Sequence, residues 1–258
     1  MSNRREFCSF LGVALLGLNR KVIAQQESDF LAKSFESSRG KRMPYRLFIP
    51  AKYESRQKYP LLLWLHGGAG RGNDNSSQIS GGNTTGSHVC TLPDNQSKNP
   101  CFVFAPQCPM NEEWATVSKA QPTEQLHLAL ELLQLLLHTF SIDDQRLYVA
   151  GQSLGGFGTW AAITVQPDLF AAAIPICGGG DESQSPKLVN TPIWAFHGEK
   201  DEAVSVERSR RMIEAIRKAG GKPRYTEYKD AGHVIWERVF HEPELLPWMF
   251  SQTRGRTK

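Results

Sequence analysis

Leu147-Tyr148-Val149-Ala150-Gly151-Gln152-Ser153-Leu154-Gly155-Gly156-Phe157-Gly158-Thr159-Trp160 is the stretch on which the reading of this chain turns. An apolar run stops at Gly151, one polar residue intervenes, then come Ser153 and two further glycines. This is the G-x-S-x-G pattern, with a strand-like run before it and a helix-like run after it. A serine raised on a sharp strand-to-helix turn needs small neighbours two before and two after, so that backbone and incoming acyl group can approach. The turn also points the free N–H groups of the following helix at the reacting carbonyl, where negative charge develops. Taken alone, the glycines also fit a merely tight turn; the flanking pattern and two later motifs favour the reactive reading.

The first of those motifs lies upstream. Tyr59 to Leu65 is a continuous apolar run, the signature of a strand buried on both faces of a parallel sheet. It discharges into His66-Gly67-Gly68-Ala69-Gly70-Arg71-Gly72-Asn73-Asp74-Asn75. A phosphate-cradling loop is the rival reading, but the Gly-Lys-Ser/Thr ending is missing and the glycine spacing is not G-x-G-x-x-G. With a serine elbow downstream, the expected role is an oxyanion hole built from the N–H groups of Gly68, or alternatively Ala69, and of Leu154. His66, inside the glycine loop, is expected to shape it.

The second lies downstream. A nucleophilic serine needs a base to take its proton and a carboxylate to hold that base's tautomer. Ser153, Asp201 and His233 occur in the order Ser, Asp, His, and each follows a strand-like run, apolar before Ser153 and Asp201 and alternating before His233. Asp181 also follows such a run and competes for the role of acid. Asp201 is preferred for its place one helix and one strand before His233.

Between these motifs the chain alternates strand and helix. Arg42 to Pro50 ends at a proline and reads as an antiparallel edge strand. Residues 76–100 are polar and aperiodic and read as a long loop. Cys101 to Ala105 is a strand, followed by Gln107 and Trp114, the two candidates for substrate contact. Pro122 to Phe140 carries leucines at spacings of three and four and reads as a buried helix. Further strands are expected over 146–150, 170–177, 191–196 and 223–229, with helices over 157–165 and 206–219. Residues 236–250 look helical but are interrupted by Pro243 and Pro247. This order implies a single α/β domain, a mostly parallel central sheet with helices on both faces, and reactive residues at the strands' carboxyl ends.

The segments Gly151 to Trp160, His197-Gly198-Glu199-Lys200-Asp201 and Gly232-His233-Val234-Ile235-Trp236 together resemble the α/β-hydrolase superfamily. Within it they are similar to the esterases and peptidases grouped around prolyl-oligopeptidase-like, feruloyl/acetylxylan-esterase-like and polyhydroxybutyrate-depolymerase-like proteins. The resemblance covers about Arg42 to Trp248. It implies an α/β-hydrolase fold, with Ser153 as nucleophile, Asp201 as acid, His233 as base and Gly68 in the oxyanion hole. It also implies an ester substrate, either a small molecule or a feruloyl or acetyl ester of a plant polysaccharide. No N-terminal propeller of the prolyl-oligopeptidase kind is present, which favours an esterase. The alternatives are a serine peptidase or amidase on short peptides, and a non-catalytic carbohydrate-binding protein on a hydrolase fold.

The 258 residues carry a net charge of +4, of which Arg4, Arg5, Arg20 and Lys21 against Glu6 account for +3. The body of the chain is thus near neutral, and no nucleic-acid partner is expected. Asn3-Arg4-Arg5-Glu6-Phe7 precedes an apolar stretch from Phe10 to Leu18 that is too short for a stable membrane span. Residues 1–24 read as an export signal of twin-arginine type, cleaved before Gln25, with 25–258 as the catalytic domain. A periplasmic or secreted protein follows. In such a compartment Cys90, Cys101, Cys108 and Cys177 permit up to two disulfides in three pairings. No cofactor is expected, and no metal site, since the histidines are not gathered near the cysteines.

Overall fold

The structure, a computed structural model, describes residues 29–255. Eight strands form one sheet: β1 (Phe30–Glu36), β2 (Arg42–Phe48), β3 (Tyr59–Leu65), β4 (Phe102–Pro106), β5 (Ile142–Gln152), β6 (Ala172–Ile176), β7 (Trp194–Gly198) and β8 (Arg224–Tyr228). Their order across the sheet is β1-β2-β4-β3-β5-β6-β7-β8. From β4 to β8 all neighbours are parallel, whereas β1–β2 and β2–β4 are antiparallel. The helices are α1 (Thr84–His88), α2 (Pro93–Lys98), α3 (Glu124–Thr139), α4 (Leu154–Val165), α5 (Glu207–Lys218), α6 (Trp236–Phe240) and α7 (Leu245–Ser251). The expected α/β-hydrolase architecture is thus the one observed.

β3 shows why its run is unbroken in apolar character. Leu61, Leu63 and Leu65 face one core layer with α3, α4 and α5, while Leu62 and Trp64 face the other with α6 and α7. Every residue of β3 is buried, so neither face tolerates a polar side chain. Helix α3 buries Leu126, Leu130 and Leu133 along one stripe, and Leu128, Leu132 and Leu136 beside it. Its leucine-rich second half is packed against the sheet, as its pattern requires.

Chain direction reverses its march across the sheet at β3. The connection to β4 runs to one side, and β5 then lies on the other. Such a switch leaves a crevice beyond the carboxyl ends of the two neighbouring strands. The glycine loop after β3 and Ser153 after β5 both open onto it.

Three expectations need correction. Arg42–Phe48 is not the edge strand, because β1 pairs along its outer side from Phe30↔Phe48 to Glu36↔Arg42. Most of β1 is exposed, so its sequence carries no alternation to detect; Lys33 and Glu36 suit a guarded edge. Residues 76–100 are not an open loop but a chain of short helical turns, including α1 and α2. Buried polar side chains (Gln78, Asn83, Ser87, His88) are interleaved with the buried Ile79, Val89 and Cys90, which hides the pattern from a hydrophobicity reading. Third, the prolines at 243 and 247 act differently. Pro243 lies in the break between α6 and α7, but Pro247 is in the first turn of α7, where no intrahelical N–H is needed.

The four cysteines among the described residues are all free thiols and all buried. None bridges another, so the disulfide expectation is not met. Cys90 and Cys101 are neighbours, and the hydrogen bond between their side chains together with burial pushes the Cys90 thiol up. Residues 1–24, expected to direct export, lie outside the described residues. Among those described, no helix is long and apolar enough to cross a membrane.

Candidate active site

β5 ends at Gln152, and α4 begins at Leu154, so Ser153 alone makes the turn. It does so at φ 54°, ψ −115°, a region that costs a non-glycine residue about 1–3 kcal/mol. Its N–H is held by Ile176 O at 2.8 Å. The neighbouring glycines have a steric cause. A Cβ on Gly151 would meet Leu65 O at 2.7 Å, and one on Gly155 would stand 2.9 Å from His66 O and closer still to Leu65 O. The elbow therefore sits directly on the end of β3.

Two loops bring the rest of the relay. Asp201 follows β7 and is buried; its Oδ1 accepts the N–H groups of Ala203 (2.9 Å) and Val204 (2.8 Å). His233 follows β8, and its Nδ1 lies 2.7 Å from Asp201 Oδ2. His233 Nε2 lies 2.9 Å from Ser153 Oγ. A carboxylate can only accept, so Nδ1 carries the proton and Nε2 is free to accept from the serine hydroxyl. Burial opposes ionisation of Asp201. The hydrogen bonds from His233 and the Val204 N–H, with the nearby imidazole charges, outweigh it and hold the carboxyl below its usual range. Ser153, Asp201 and His233 thus meet as a complete serine, histidine, aspartate relay. Asp181 does not join it; its Oδ1 accepts from Ser183 N (3.0 Å) and Oγ (2.6 Å) at the start of a helical turn.

The glycine loop is held from beneath by side chains. His66 is fully buried; its Nδ1–H donates to Gly67 O (2.7 Å), and its Nε2 accepts from the Cys108 N–H (3.0 Å). Burial lowers its pKa to about 4, which keeps the ring neutral in that tautomer. His66 shapes the loop, as expected. Gly68 and Leu154 donate their N–H groups to no protein acceptor among the described residues.

Trp114 and Gln107, expected to contact substrate, are placed otherwise. Both are fully buried. Trp114 donates its indole N–H to His66 O at 3.2 Å and packs edge-on against the His66 ring. Gln107 Oε1 accepts the Asn75 N–H (2.7 Å), while its Nε2 donates to Asp74 Oδ1 (2.7 Å) and Gly70 O (3.1 Å). Neither side chain reaches solvent, and both support the loop from below. The Ser77 hydroxyl and N–H on Asp74, followed by Gln107, hold the Asp74 carboxyl far below the carboxylate range.

Sequence reasoning missed three residues that build the site. Asn83 Oδ1 accepts the Gly67 N–H at 2.9 Å, fixing the glycine loop from the far side. Gln152 Nε2 donates to Gly82 O at 2.8 Å; its position inside G-x-S-x-G was the available signal. Cys177 adopts φ 48° just after β6 and lays its thiol 3.4 Å from His233 O. Ligand-type atoms of Cys177, Asp201 and His233 lie within 4.8 Å of one another. The donor set suits the relay better than a cation, since burial drives the Cys177 thiol strongly toward its protonated form and a metal needs the thiolate.

A surface cavity of 730 Å³ lined by Lys119, Asp181, Arg208 and Arg211 contains no triad residue. The reacting atoms stand beyond the carboxyl ends of the strands, where the His233 side chain is 21% exposed.

The family model described as "Putative esterase" matches residues 37–220, most of the chain. The chain belongs to this esterase family. It is 40% identical to a protein solved as a thermostable esterase, with a TM-score of 0.86 over 89% of this chain and 64% of that one. Over 153 residues it is 26% identical to a bifunctional acetylxylan esterase/xylanase, XynS20E, of Neocallimastix patriciarum; this spans 58% of the chain and 20% of that protein. A ferulic acid esterase shares the fold, with a TM-score of 0.65 at 18% identity over 86% of this chain and 97% of that one. The chain spans less than two thirds of the first two relatives. Family membership and the relay together make this a serine-hydrolase centre in an esterase fold.

Proposed function

We propose that the protein is a serine carboxylic-ester hydrolase that works through an acyl-enzyme. The carrying observation is the unbroken run of contacts from Ser153 Oγ through the His233 ring to the buried Asp201 carboxylate. His233 Nε2 takes the hydroxyl proton as Ser153 Oγ attacks the ester carbonyl, and the imidazolium is stabilised by Asp201. The uncommitted N–H groups of Gly68 and Leu154 are assigned to the developing oxyanion; one such donor contributes about 3–4 kcal/mol at the upper end. His233 then gives the proton to the leaving alcohol. Water enters by the same route in reverse and releases the acid.

The substrate class we favour is an acetyl or feruloyl ester carried on a plant polysaccharide. Two features support it. The reacting residues lie at the carboxyl ends of the strands, outside the surface cavity beside Lys119 and Arg208, with the His233 side chain 21% exposed, which suits a group projecting from a bulky chain. One relative's name joins acetylxylan esterase to xylanase. Export through the segment at 1–24 belongs to the same proposal, since such a substrate lies outside the cell.

The test is a hydrolysis panel of p-nitrophenyl acetate, acetylated xylan, methyl ferulate and a peptide p-nitroanilide. Release of acetate from xylan or of ferulate, abolished in Ser153→Ala, supports the reading. Cleavage of the anilide alone overturns it in favour of a peptidase, and no turnover of any of the four removes the esterase proposal.

A further inference from the structure

His197 belongs to the His-Gly-Glu-Lys-Asp motif, yet the relay just described does not use it. The residue is the last but one of β7, and it is fully buried. Its Nε2 lies 2.9 Å from Val204 O and 3.2 Å from Asp201 Oδ2, the same carboxylate oxygen that His233 engages. Both of these neighbours are acceptors only, so Nε2 must carry a proton. Nδ1 lies 2.8 Å from Ser209 Oγ on α5. Burial lowers the His197 pKa, and a neutral ring protonated at Nε2 has a bare Nδ1, which accepts the Ser209 hydroxyl proton. The acceptor-only partners of Nε2 therefore fix the tautomer, while the Ser209 hydroxyl, which also lies 3.2 Å from Gly178 O, is compatible with it.

Asp201 is thereby held at four points. Two backbone N–H groups bind Oδ1; two imidazole N–H groups meet on Oδ2. We propose that His197 is a positioning residue of the triad: its Nε2–H keeps the carboxylate turned toward His233 and tempers the charge that His233 feels, thereby setting the pH at which Ser153 becomes reactive. The inference rests on the serine-hydrolase reading of the same site, but not on any particular ester.

The direction of the effect follows from the charge. Sharing Oδ2 with a second donor makes the carboxylate a weaker partner for a protonated His233. Removing that donor strengthens the Asp201–His233⁺ pair, so the acid limb of reactivity moves up. The other groups facing the ring from the elements packed on it are Glu227 on β8, opposite His197 in the strand register and neutralised by Arg210, and the Cys177 thiol beyond β6.

The experiment measures the rate of Ser153 labelling by a fluorophosphonate between pH 4.5 and 8.5, alongside kcat and KM for p-nitrophenyl acetate. His197→Phe keeps a planar ring and deletes the donor; His197→Gln keeps an amide donor. Expected are an acid limb raised by about 0.5–1 pH unit in His197→Phe, a kcat roughly tenfold or more lower at unchanged KM, and restoration of the limb in His197→Gln. A folded His197→Phe protein with the wild-type limb and kcat overturns the proposal. Should His197→Phe fail to fold, ¹⁵N-histidine NMR of the wild-type protein decides, with His197 assigned from the His197→Gln spectrum. A neutral ring protonated at Nε2 supports the proposal, and a proton on Nδ1 overturns it. Labelling without ester turnover would defeat the esterase reading alone and leave this test intact.

Discussion

Gly155 lies so close to the carbonyl oxygen of Leu65 that no side chain fits between the nucleophile turn and the end of β3. The contact is backbone against backbone, so nothing flexible can yield. Gly155→Ala should therefore cost at least the about 1–3 kcal/mol of an overpacked core position. It should also displace Ser153 from His233. Thermal unfolding and fluorophosphonate labelling check this: a lower Tm together with slowed labelling is expected. Unchanged values for both would mean that the turn can move away from β3.

Ser153→Ala removes the nucleophile while deleting one partly exposed oxygen. Turnover of p-nitrophenyl acetate should fall by about 10⁵-fold or more, with circular dichroism and Tm preserved. Retained turnover in a purified, folded variant would take the reaction away from this serine.

His66 makes stability pH-dependent in a defined window. Its folded pKa is about 4 against an ordinary 6.5, so below pH 6.5 the unfolded chain binds a proton that the folded one refuses. The stabilisation is complete above pH 6.5 and is lost as pH falls toward 4, by about 3 kcal/mol in all. The depressed carboxyl of Asp201 acts the same way at lower pH, below its ordinary value of 3.8. Urea unfolding at pH 7, 5.5 and 4.5 reads the first window. In His66→Asn, less stable throughout, the decline between pH 6.5 and 4 should be shallower; an equal decline would assign it to other groups.

Gln107→Ala tests the support beneath the glycine loop. It leaves the Asn75 N–H and one Asp74 lone pair without their partner, a loss of about 1–3 kcal/mol. If the loop carries the oxyanion donors, kcat should drop while KM changes little. A change in KM alone would instead argue for direct contact between this amide and substrate.

Cys90, Cys101, Cys108 and Cys177 should react with Ellman's reagent only after unfolding. In denaturant without reductant all four should titrate, with Cys8 as a fifth thiol where residues 1–24 are retained, because none of the four is bridged. Burial pushes the Cys108 thiol up to about 12, which reinforces its inertness in the folded state. Fewer free thiols in the denatured protein would reveal a disulfide.

The relay was legible because its three members carry local punctuation: glycines around Ser153, a strand end before Asp201, a glycine before His233. The parallel sheet was legible because β3 and its neighbours are apolar on both faces. What escaped reading has equally physical causes. β1 gains its place by backbone pairing with β2 and shows no apolar alternation, so no periodicity marks it. Asn83 and the turns around it mix side-chain hydrogen bonds with the burial of Ile79, Val89 and Cys90, so no single period marks them. Trp114 and Gln107 follow a strand end, where a ligand contact and a loop support have the same sequence setting. Only their burial separates the two. The cysteines are close in sequence, but closeness does not fix whether the sulfurs are bonded.

The left-handed backbone at position 153 sets durability against chemistry. Glycine takes that conformation freely, so Ser153→Gly would give an inert protein relieved of local torsional cost. Breeding this chain for heat resistance alone, with no demand on turnover, would tend to discard the hydroxyl itself. A screen for hardier variants has to score reaction and endurance together.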